Sequence, residues 1–163
     1  MTDDQLEYDP IGVIHTPFES PEGMPIQPAG ADATGTVELA PSYAAGLQDL
    51  EEFSHCILLY HFHASDDDDV SLTVEPFLDE TERGLFATRA PQRPNPIGLS
   101  VVEIDTVTDR EMTVRGADVV DGTPLLDIKP FVPQFDAPDD VDAGWLETSQ
   151  SAVRSKRADD RFC

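Results

Sequence analysis

The stretch GLSVVEIDTVTDREMTVRGADVV, residues 98–120, decides the fold class of this chain. Two segments rich in valine, isoleucine and threonine, residues 98–108 and 111–120, flank Asp109 and Arg110. β-branched residues are enriched in strands, and a short polar break between two such segments is typical of a hairpin turn. The stretch therefore predicts an antiparallel β-hairpin with Asp109 and Arg110 at its tip.

Further short strands are predicted on both sides of this hairpin. They span residues 10–16, 34–40, 54–64, 70–76, 84–90 and 123–131. Residues 41–53 differ, because they begin with proline and carry Tyr43, Leu47 and Leu50 at helical spacing, which predicts a short helix. A doubly wound sheet would need crossover helices, which this pattern lacks. The fold class is therefore predicted to be all-β: a single small β-barrel domain with one or two short helices.

Length and composition limit the kind of protein. The 163 residues suit one domain with its own core. No apolar run approaches a membrane span, and the acidic N-terminus lacks the basic and then apolar order of a secretory signal. Cys56 and Cys163 are the only cysteines, which excludes a disulfide framework. We therefore predict a cytoplasmic protein that does not bind membranes.

The net charge of −23 comes from 33 acidic residues spread along the chain, against 10 lysines and arginines. Charge of this size can indicate disorder, but apolar stretches such as residues 56–62 and 123–132 indicate a folded core. We interpret the composition as a hydrated acidic surface adapted to molar salt, where the Debye length is roughly 3 Å. In such salt, the acidic balance argues only weakly against a polyanionic partner.

Residues 87–100, ATRAPQRPNPIGLS, place three prolines and two arginines before the first strand of the hairpin. Each proline fixes its own φ and restricts the residue before it, so Ala90, Arg93 and Asn95 have few conformations left. A stiff loop can present side chains to a ligand without an ordering cost on binding. The pattern fits a rigid turn between two strands equally well.

Three histidines, His55, His61 and His63, alternate along one predicted strand, so we expect them on one face and Cys56 on the other. They could bind zinc, but the sequence places no further ligand beside them. The alternative, which we favour, is a polar lining of one strand face without a metal. Cys56 lies among apolar residues, where a thiol is inert, and Ser100 lacks the G-x-S-x-G turn of a nucleophile.

Two more segments are candidates for a site. The first, GMPIQP at residues 23–28, holds the Gln27 amide between prolines, and its alternative interpretation is a rigid surface turn. The second, DGTPLLDIKP at residues 121–130, places Asp127 and Lys129 on one face of an extended segment. An exposed ion pair of little energetic value is the alternative there.

These motifs together resemble the TrmO (TsaA-like) family over about residues 9–147. The resemblance is carried by GMPIQP, FSHCILLYHFH, GLFATRAPQRPNPIGLS, DGTPLLDIKPFVP and GWL. It implies a homodimeric β-barrel methyltransferase that uses S-adenosyl-L-methionine to methylate N6 of N6-threonylcarbamoyladenosine beside the tRNA anticodon. It also implies a methyltransferase domain at residues 1–147 and a polar C-terminal tail at 148–163. With its acidic composition, the chain resembles a family member from a halophilic archaeon.

The resemblance also implies the residues of the site. Family cofactor contacts fall on Pro25, Ile26, Gln27, His63, Ala64, Arg89, Leu99, Gly116, Ala117 and Asp118. Arg89 would bind the cofactor carboxylate, and Asp118 and Gln27 would accept hydrogen bonds from its amino groups. Leu99 and Ile26 would enclose the ring. The candidate catalytic residues are Arg93, Asn95, Asp121 and Lys129. No metal is expected, because an in-line methyl displacement depends mainly on alignment.

The sequence does not decide which residue acts as the general base or which side chains stack on the substrate nucleobase. A base would assist methylation at N6, and the candidates are His63, Asp118, Asp121 and Asp127. Side chains available to stack on a nucleobase are Phe18, Phe131, Arg93 and Arg115. Two alternative functions remain: a non-catalytic nucleotide- or RNA-binding barrel, and a metal-dependent hydrolase that uses the three histidines.

Overall fold

The structure is a computed structural model that describes residues 4–20, 33–64, 70–76 and 80–147. The described strands are β1 (Gly12–His15), β2 (Thr34–Leu39), β3 (His55–His61), β4 (Thr73–Val74), β5 (Arg83–Gly84), β6 (Ile97–Val107), β7 (Glu111–Arg115) and β8 (Thr123–Pro130). Six of them close an antiparallel barrel in the order β1-β2-β7-β6-β3-β8, and β4 pairs with β5 in a separate small sheet. The predicted all-β barrel is confirmed.

The predicted hairpin is formed by β6 and β7. Val107 pairs with Met112, and the Thr108 N–H donates to the Glu111 carbonyl at 2.8 Å, which places Asp109 and Arg110 at the tip. β7 is shorter than predicted and ends at Arg115. It stops there because Gly116 has a φ of 86°, outside the range of a strand.

Helical structure is confined to short segments among the described residues. They are 3-10 helices at Pro41–Leu47, Leu50–Glu52, Leu85–Ala87 and Gly144–Leu146, and the single-turn α1 at Pro133–Asp136. The one continuous helix predicted over 41–53 is wrong in detail, because Asp49 has a φ of 68° and separates two 3-10 segments. The strand predicted over 84–90 is also wrong, since Leu85–Ala87 forms a 3-10 turn that buries Leu85.

The core lies inside the barrel and is built by alternation. On β3, Cys56, Leu58 and Tyr60 are buried and face inward, while the residues between them are partly exposed. Other strands contribute Ile14, Val37, Leu39, Val102, Met112, Val114 and Leu125. Gly98 pairs with Tyr60, and a Cβ at Gly98 would lie 2.2 Å from Cε2 of the Tyr60 ring. The wall of the barrel therefore has no space for a side chain at that position.

Several segments that carry candidate site residues adjoin one end of the barrel. Because neighbouring strands are antiparallel, β1, β3 and β7 finish at this end, where β2, β6 and β8 begin. The terminal residues that define it are His15, Thr34, His61, Ile97, Arg115 and Thr123. We name it the His61 end. Residues 62–64, 89–96 and 116–121 therefore all adjoin the His61 end.

No helix in the described ranges has the length and apolar composition needed to cross a membrane.

Candidate active site

A hydrogen-bonded chain of two buried hydroxyls and one partly buried carboxyl lies near the His61 end. Tyr60 and Ser100 are 3% and 1% exposed, and their oxygen atoms are 2.7 Å apart. The Ser100 hydroxyl donates to Oδ1 of Asp118 at 2.5 Å. Because serine carries a single hydroxyl proton, the Tyr60 hydroxyl is then the donor to Ser100. Two strands, β3 and β6, thus supply hydroxyls to a chain that ends at one carboxyl on the segment after β7.

Burial makes Asp118 an unusual acid. It raises the pKa of the Asp118 carboxyl from 3.8 to about 7, against the opposing effects of the Ser100 and backbone hydrogen bonds and of the Arg89 charge. Burial and the Asp118 charge also raise the pKa of Tyr60, so its hydroxyl stays protonated and acts as a donor. Arg89 influences both groups, which places its positive charge beside the buried chain. Asp118 therefore changes its charge near neutral pH, beside a cation.

Sequence reasoning found only part of this group. Arg89 and Asp118 were predicted as cofactor contacts, whereas Tyr60 was treated as core and Ser100 was considered only as a nucleophile. The alternation on β3 and β6 was the available signal, because it places both hydroxyls on the inner face. Their contact depends on the register that pairs Leu58 with Ser100 and Tyr60 with Gly98.

Arg93 holds the stiff loop in place. Its Nη1 atom lies 3.0 Å from the Thr88 carbonyl oxygen, 3.1 Å from that of Ala90 and 3.5 Å from that of Leu85. Its guanidinium also lies 5.9 Å from the centre of the Phe86 ring. The loop is therefore held by the partly buried guanidinium of Arg93 as well as by its prolines. A direct catalytic role of Arg93 stays a prediction.

Asn95 and Asp121 both lie at the His61 end. Asn95 is exposed, and its carbonyl accepts a hydrogen bond from the N–H of Ile97 at 2.7 Å. Asp121 accepts a hydrogen bond from the Thr16 N–H at 3.1 Å and lies 3.4 Å from Nδ1 of His15. Asp121 therefore ties the end of β1 to the turn before β8, and its catalytic role stays a prediction.

Lys129 is not brought to the His61 end. β8 begins there at Thr123, and at about 3.3 Å per residue Lys129 lies roughly 20 Å further along. Its Nζ is 2.9 Å from Oδ2 of Asp127, both side chains are exposed, and the hydrogen bond with Asp127 raises the pKa of Lys129. Within one protomer, Lys129 and Asp121 therefore do not form one site. The exposed-pair interpretation describes Asp127 and Lys129.

The predicted cofactor residues are placed unequally. His63 and Ala64 are exposed just after β3, and Leu99 is 41% exposed on the outer face of the barrel. Ala117 is only 1% exposed and packs in the core. The Gly116 N–H donates to the Ala33 carbonyl at 3.1 Å. Pro25, Ile26 and Gln27 lie outside the described residues.

The three histidines do not converge. His55 and His61 are on the outer face of β3, opposite Cys56 as predicted, at opposite ends of the strand. The Nδ1 of His55 lies 2.7 Å from the Ser54 hydroxyl. Within the described ranges, no group of three or more His, Cys, Asp and Glu residues is placed to hold a metal ion. Burial raises the pKa of Cys56 to about 12, so the thiol stays protonated.

Residues 13–137 match the family described as the tRNA-methyltransferase O N-terminal domain. The chain belongs to this family. Among solved structures it is similar to the crystal structure of TrmO from Pseudomonas aeruginosa, with a TM-score of 0.73 and 37% identity. That similarity covers 87% of this chain and 63% of the TrmO chain. The chain thus spans less than two thirds of that TrmO.

Two curated relatives extend this comparison. A probable S-adenosyl-L-methionine-binding protein of Pyrococcus abyssi is 51% identical over 95% of this chain and 84% of the relative. The tRNA (adenine(37)-N6)-methyltransferase of Escherichia coli is 35% identical over 90% of this chain and 66% of the relative. The TrmO family predicted from the motifs is confirmed. The names of these relatives agree with the predicted cofactor and enzyme class, and the halophilic source stays a prediction.

Proposed function

We propose that this chain is an S-adenosyl-L-methionine-dependent methyltransferase that acts on N6 of threonylcarbamoyladenosine beside the tRNA anticodon. Membership of the TrmO N-terminal family and the name of the Escherichia coli relative support the reaction class. The observation that carries the proposal is the hydrogen-bonded Tyr60–Ser100–Asp118 chain at one end of the barrel, on which the charge of Arg89 acts. A tRNA substrate also agrees with the cytoplasmic location expected from the sequence.

The chemistry of the donor set fits the methionine end of the cofactor. That end carries one carboxylate and one ammonium group, and the site offers one guanidinium, on Arg89, and one partly buried carboxyl, on Asp118. Arg89 binds the carboxylate, and ionised Asp118 accepts a hydrogen bond from the ammonium. When bound, S-adenosyl-L-methionine supplies a methyl group on a sulfonium. Ser100 holds the Asp118 carboxyl in position by donating a hydrogen bond to it, and Tyr60 fixes Ser100 by donating to the Ser100 oxygen.

Alignment at this site comes from the stiff loop. Arg93 fixes the backbone carbonyls of Thr88 and Ala90, which flank Arg89, and the prolines fix Asn95. The target nitrogen must approach in line with the bond that breaks, and rigid placement of both reactants supplies much of such a rate enhancement. Asn95 is exposed on this loop, and we propose that its side chain positions the nucleoside.

The surroundings of the four candidate bases support two of them better than the other two. Asp127 is paired with Lys129 away from the His61 end, and Asp121 is engaged by the Thr16 N–H beside His15. Asp118 and His63 remain at the His61 end: the Arg89 charge acts on Asp118, and His63 follows Phe62, whose N–H donates to the Pro96 carbonyl of the stiff loop at 2.8 Å. We propose that the reaction requires the ionised carboxylate of Asp118. This holds whether the carboxylate accepts a hydrogen bond from the cofactor ammonium or from the target N–H.

An apolar patch on the outside of the barrel supports a homodimer. Ile57 pairs with Val101 and Leu59 pairs with Leu99 on the outer face of β3 and β6, and neighbouring Ile97 is 45% exposed. Adjacent apolar residues of this kind mark interaction surfaces on soluble domains. We infer that a second copy of the chain covers this patch.

The expected mass in solution is therefore that of two chains. Ile57→Glu should shift it to that of one chain, because a carboxylate in the patch would be buried without a partner. Light scattering after gel filtration measures this mass, and Glu111→Gln, on the distant β7, serves as the control. A parent protein that elutes as a monomer at every concentration would contradict the homodimer.

The reaction is tested on tRNA that carries threonylcarbamoyladenosine. The full chain is incubated with this tRNA and S-adenosyl-L-methionine, and the nucleosides are analysed by mass spectrometry. Methylated threonylcarbamoyladenosine is the expected product, and tRNA without the threonylcarbamoyl group is the control. Transfer to another nucleoside would overturn the proposed substrate alone. Cofactor binding with no transfer to any RNA would favour the non-catalytic RNA-binding barrel.

Arg89→Ala should weaken S-adenosyl-L-methionine binding by about 1.5–3 kcal/mol, the usual worth of a hydrogen bond to a charged group. This loss corresponds to an increase in Kd of about 10- to 150-fold. Isothermal titration calorimetry measures it. Arg110→Ala is the matched control, because Arg110 pairs with Glu38 at the hairpin tip, at the opposite end of the barrel. An unchanged Kd for Arg89→Ala would remove Arg89 from the pocket.

A further inference from the structure

Cations and aromatic rings meet on one surface of this acidic protein. Residues 83–93 contain three of the chain's ten lysines and arginines, although the net charge is −23. Two of these arginines contact rings: Arg93 lies 5.9 Å from the centre of Phe86, and Arg83 lies 5.8 Å from that of Trp145. We name Arg83, Phe86, Arg89, Arg93 and Trp145 the arginine–aromatic surface.

Phe86 is the most open ring of this surface. It is 75% exposed, whereas its neighbour Leu85 in the same 3-10 turn is 1% exposed and anchors the turn in the protein. The guanidinium of Arg93 lies over Phe86, within the roughly 6 Å that a cation–π contact allows. The side chain thus presents a flat apolar face next to a cation, at the surface.

The backbone beneath Phe86 is held on both sides. Arg93 donates to the carbonyls of Leu85 and Thr88, and Nε1 of Trp145 donates to the Ala87 carbonyl at 2.8 Å. The Thr88 hydroxyl also donates to the Leu85 carbonyl, at 2.8 Å. Because the turn is already fixed, a ligand that stacks on Phe86 does not have to order it.

We propose that Phe86, backed by Arg93, stacks against an unpaired nucleobase of the RNA substrate. The inference rests on the proposed function and adds the surface that receives the RNA. Proteins recognise unpaired bases by stacking aromatic rings and arginine guanidinium groups on them, and they bind the phosphate backbone through positive charge. The arginine–aromatic surface supplies both, and the stiff loop continues from it to Asn95. An acidic protein thereby offers RNA a local cationic surface.

A binding experiment isolates this contact. The probe is a radiolabelled anticodon stem-loop carrying threonylcarbamoyladenosine, and filter binding to the full chain is measured with S-adenosylhomocysteine present, so that no methyl transfer occurs. Stacking is worth about 1–3 kcal/mol per base, so Phe86→Ala should raise the Kd for RNA roughly 5- to 150-fold. Phe86→Tyr keeps the stacking face and should bind within about twofold of the parent.

Phe135→Ala is the matched control, because Phe135 is 79% exposed and lies in α1, outside the arginine–aromatic surface. Its Kd for RNA should equal that of the parent, and all variants should keep the parent's melting temperature and its calorimetric affinity for S-adenosyl-L-methionine. Equal RNA binding by Phe86→Ala and the parent would overturn the inference while leaving the proposed function intact. Equal losses for Phe86→Ala and Phe135→Ala would overturn it as well. A parent that binds the cofactor and no RNA would reject the tRNA substrate, and the stacking contact with it.

Discussion

Replacing Asp118 with asparagine should lower methyl transfer at about pH 8 by about 10²- to 10⁴-fold, the usual contribution of a positioned acid–base group. The carboxyl has a pKa of about 7 in the free protein, so the parent's kcat/KM should rise with pH through that value. Asparagine cannot ionise, so the variant should lose this rise. Initial rates across about pH 5 to 9 at constant salt measure both effects.

Asp139→Asn controls for the loss of one negative charge, because Asp139 is exposed and lies beyond α1. The control should keep the parent's rate and pH profile. If Asp118→Asn were as fast as the parent at every pH, Asp118 would be a structural residue only.

The same residue should make the folded state sensitive to pH. Its pKa is raised on folding from 3.8 to about 7, so the folded chain holds a proton that the unfolded chain releases. The contribution of Asp118 to the free energy of unfolding is therefore complete below about pH 4 and falls as pH rises to about 7. The full change is about 4 kcal/mol, from roughly 1.4 kcal/mol per tenfold change in proton affinity. Denaturant titrations of the parent and Asp118→Asn should diverge across this window, and parallel curves would contradict the shift.

Replacing Arg93 with alanine should lower kcat by about 10²-fold, because displacing aligned groups by about 1 Å costs that much. The variant loses the guanidinium whose Nη1 atom donates hydrogen bonds to the carbonyls of Leu85, Thr88 and Ala90. Arg93→Lys should fail to restore the rate, since one ammonium does not reproduce the planar guanidinium. Single-turnover methylation with saturating cofactor and tRNA measures the effect.

Arg110→Ala again serves as the control, because its exposed ion pair with Glu38 should contribute little to stability or rate. Melting temperatures separate the two roles of Arg93. A variant that melts earlier and yet methylates at the parent rate below its melting temperature would make Arg93 a stabilising residue with no part in alignment.

The fold was predictable where the signal was local. The β-branched segments in 98–120 and the apolar strand around Cys56 predicted the hairpin and β3, because both signals lie within short, continuous stretches of the sequence. The helix over 41–53 and the strand over 84–90 were wrong in type, since Asp49 takes a positive φ and Leu85–Ala87 turns to bury Leu85. Neither departure has a strong local signature.

The site was predictable only through its motifs. Arg89 and Asp118 came from the family resemblance, and the prolines gave the stiffness of the loop. Tyr60 and Ser100 were missed as partners of Asp118, because a contact across 18 or 40 residues depends on strand register. Lys129 looked close to Asp121 in the sequence, but β8 carries it away along the barrel. The hydrogen bonds from Arg93 to backbone carbonyls likewise could not be predicted, because they depend on the folded shape of the loop.

Trp145 is the single tryptophan of the chain, and its indole N–H is bound to the Ala87 carbonyl, two residues before Arg89. Indole emission depends on hydrogen bonding and on nearby charge, and the guanidinium of Arg83 lies over this ring. Excitation of one native chromophore therefore reads the state of the loop that carries Arg89 and Arg93. The protein contains its own optical probe for the arrival of cofactor or RNA, with no dye to perturb either.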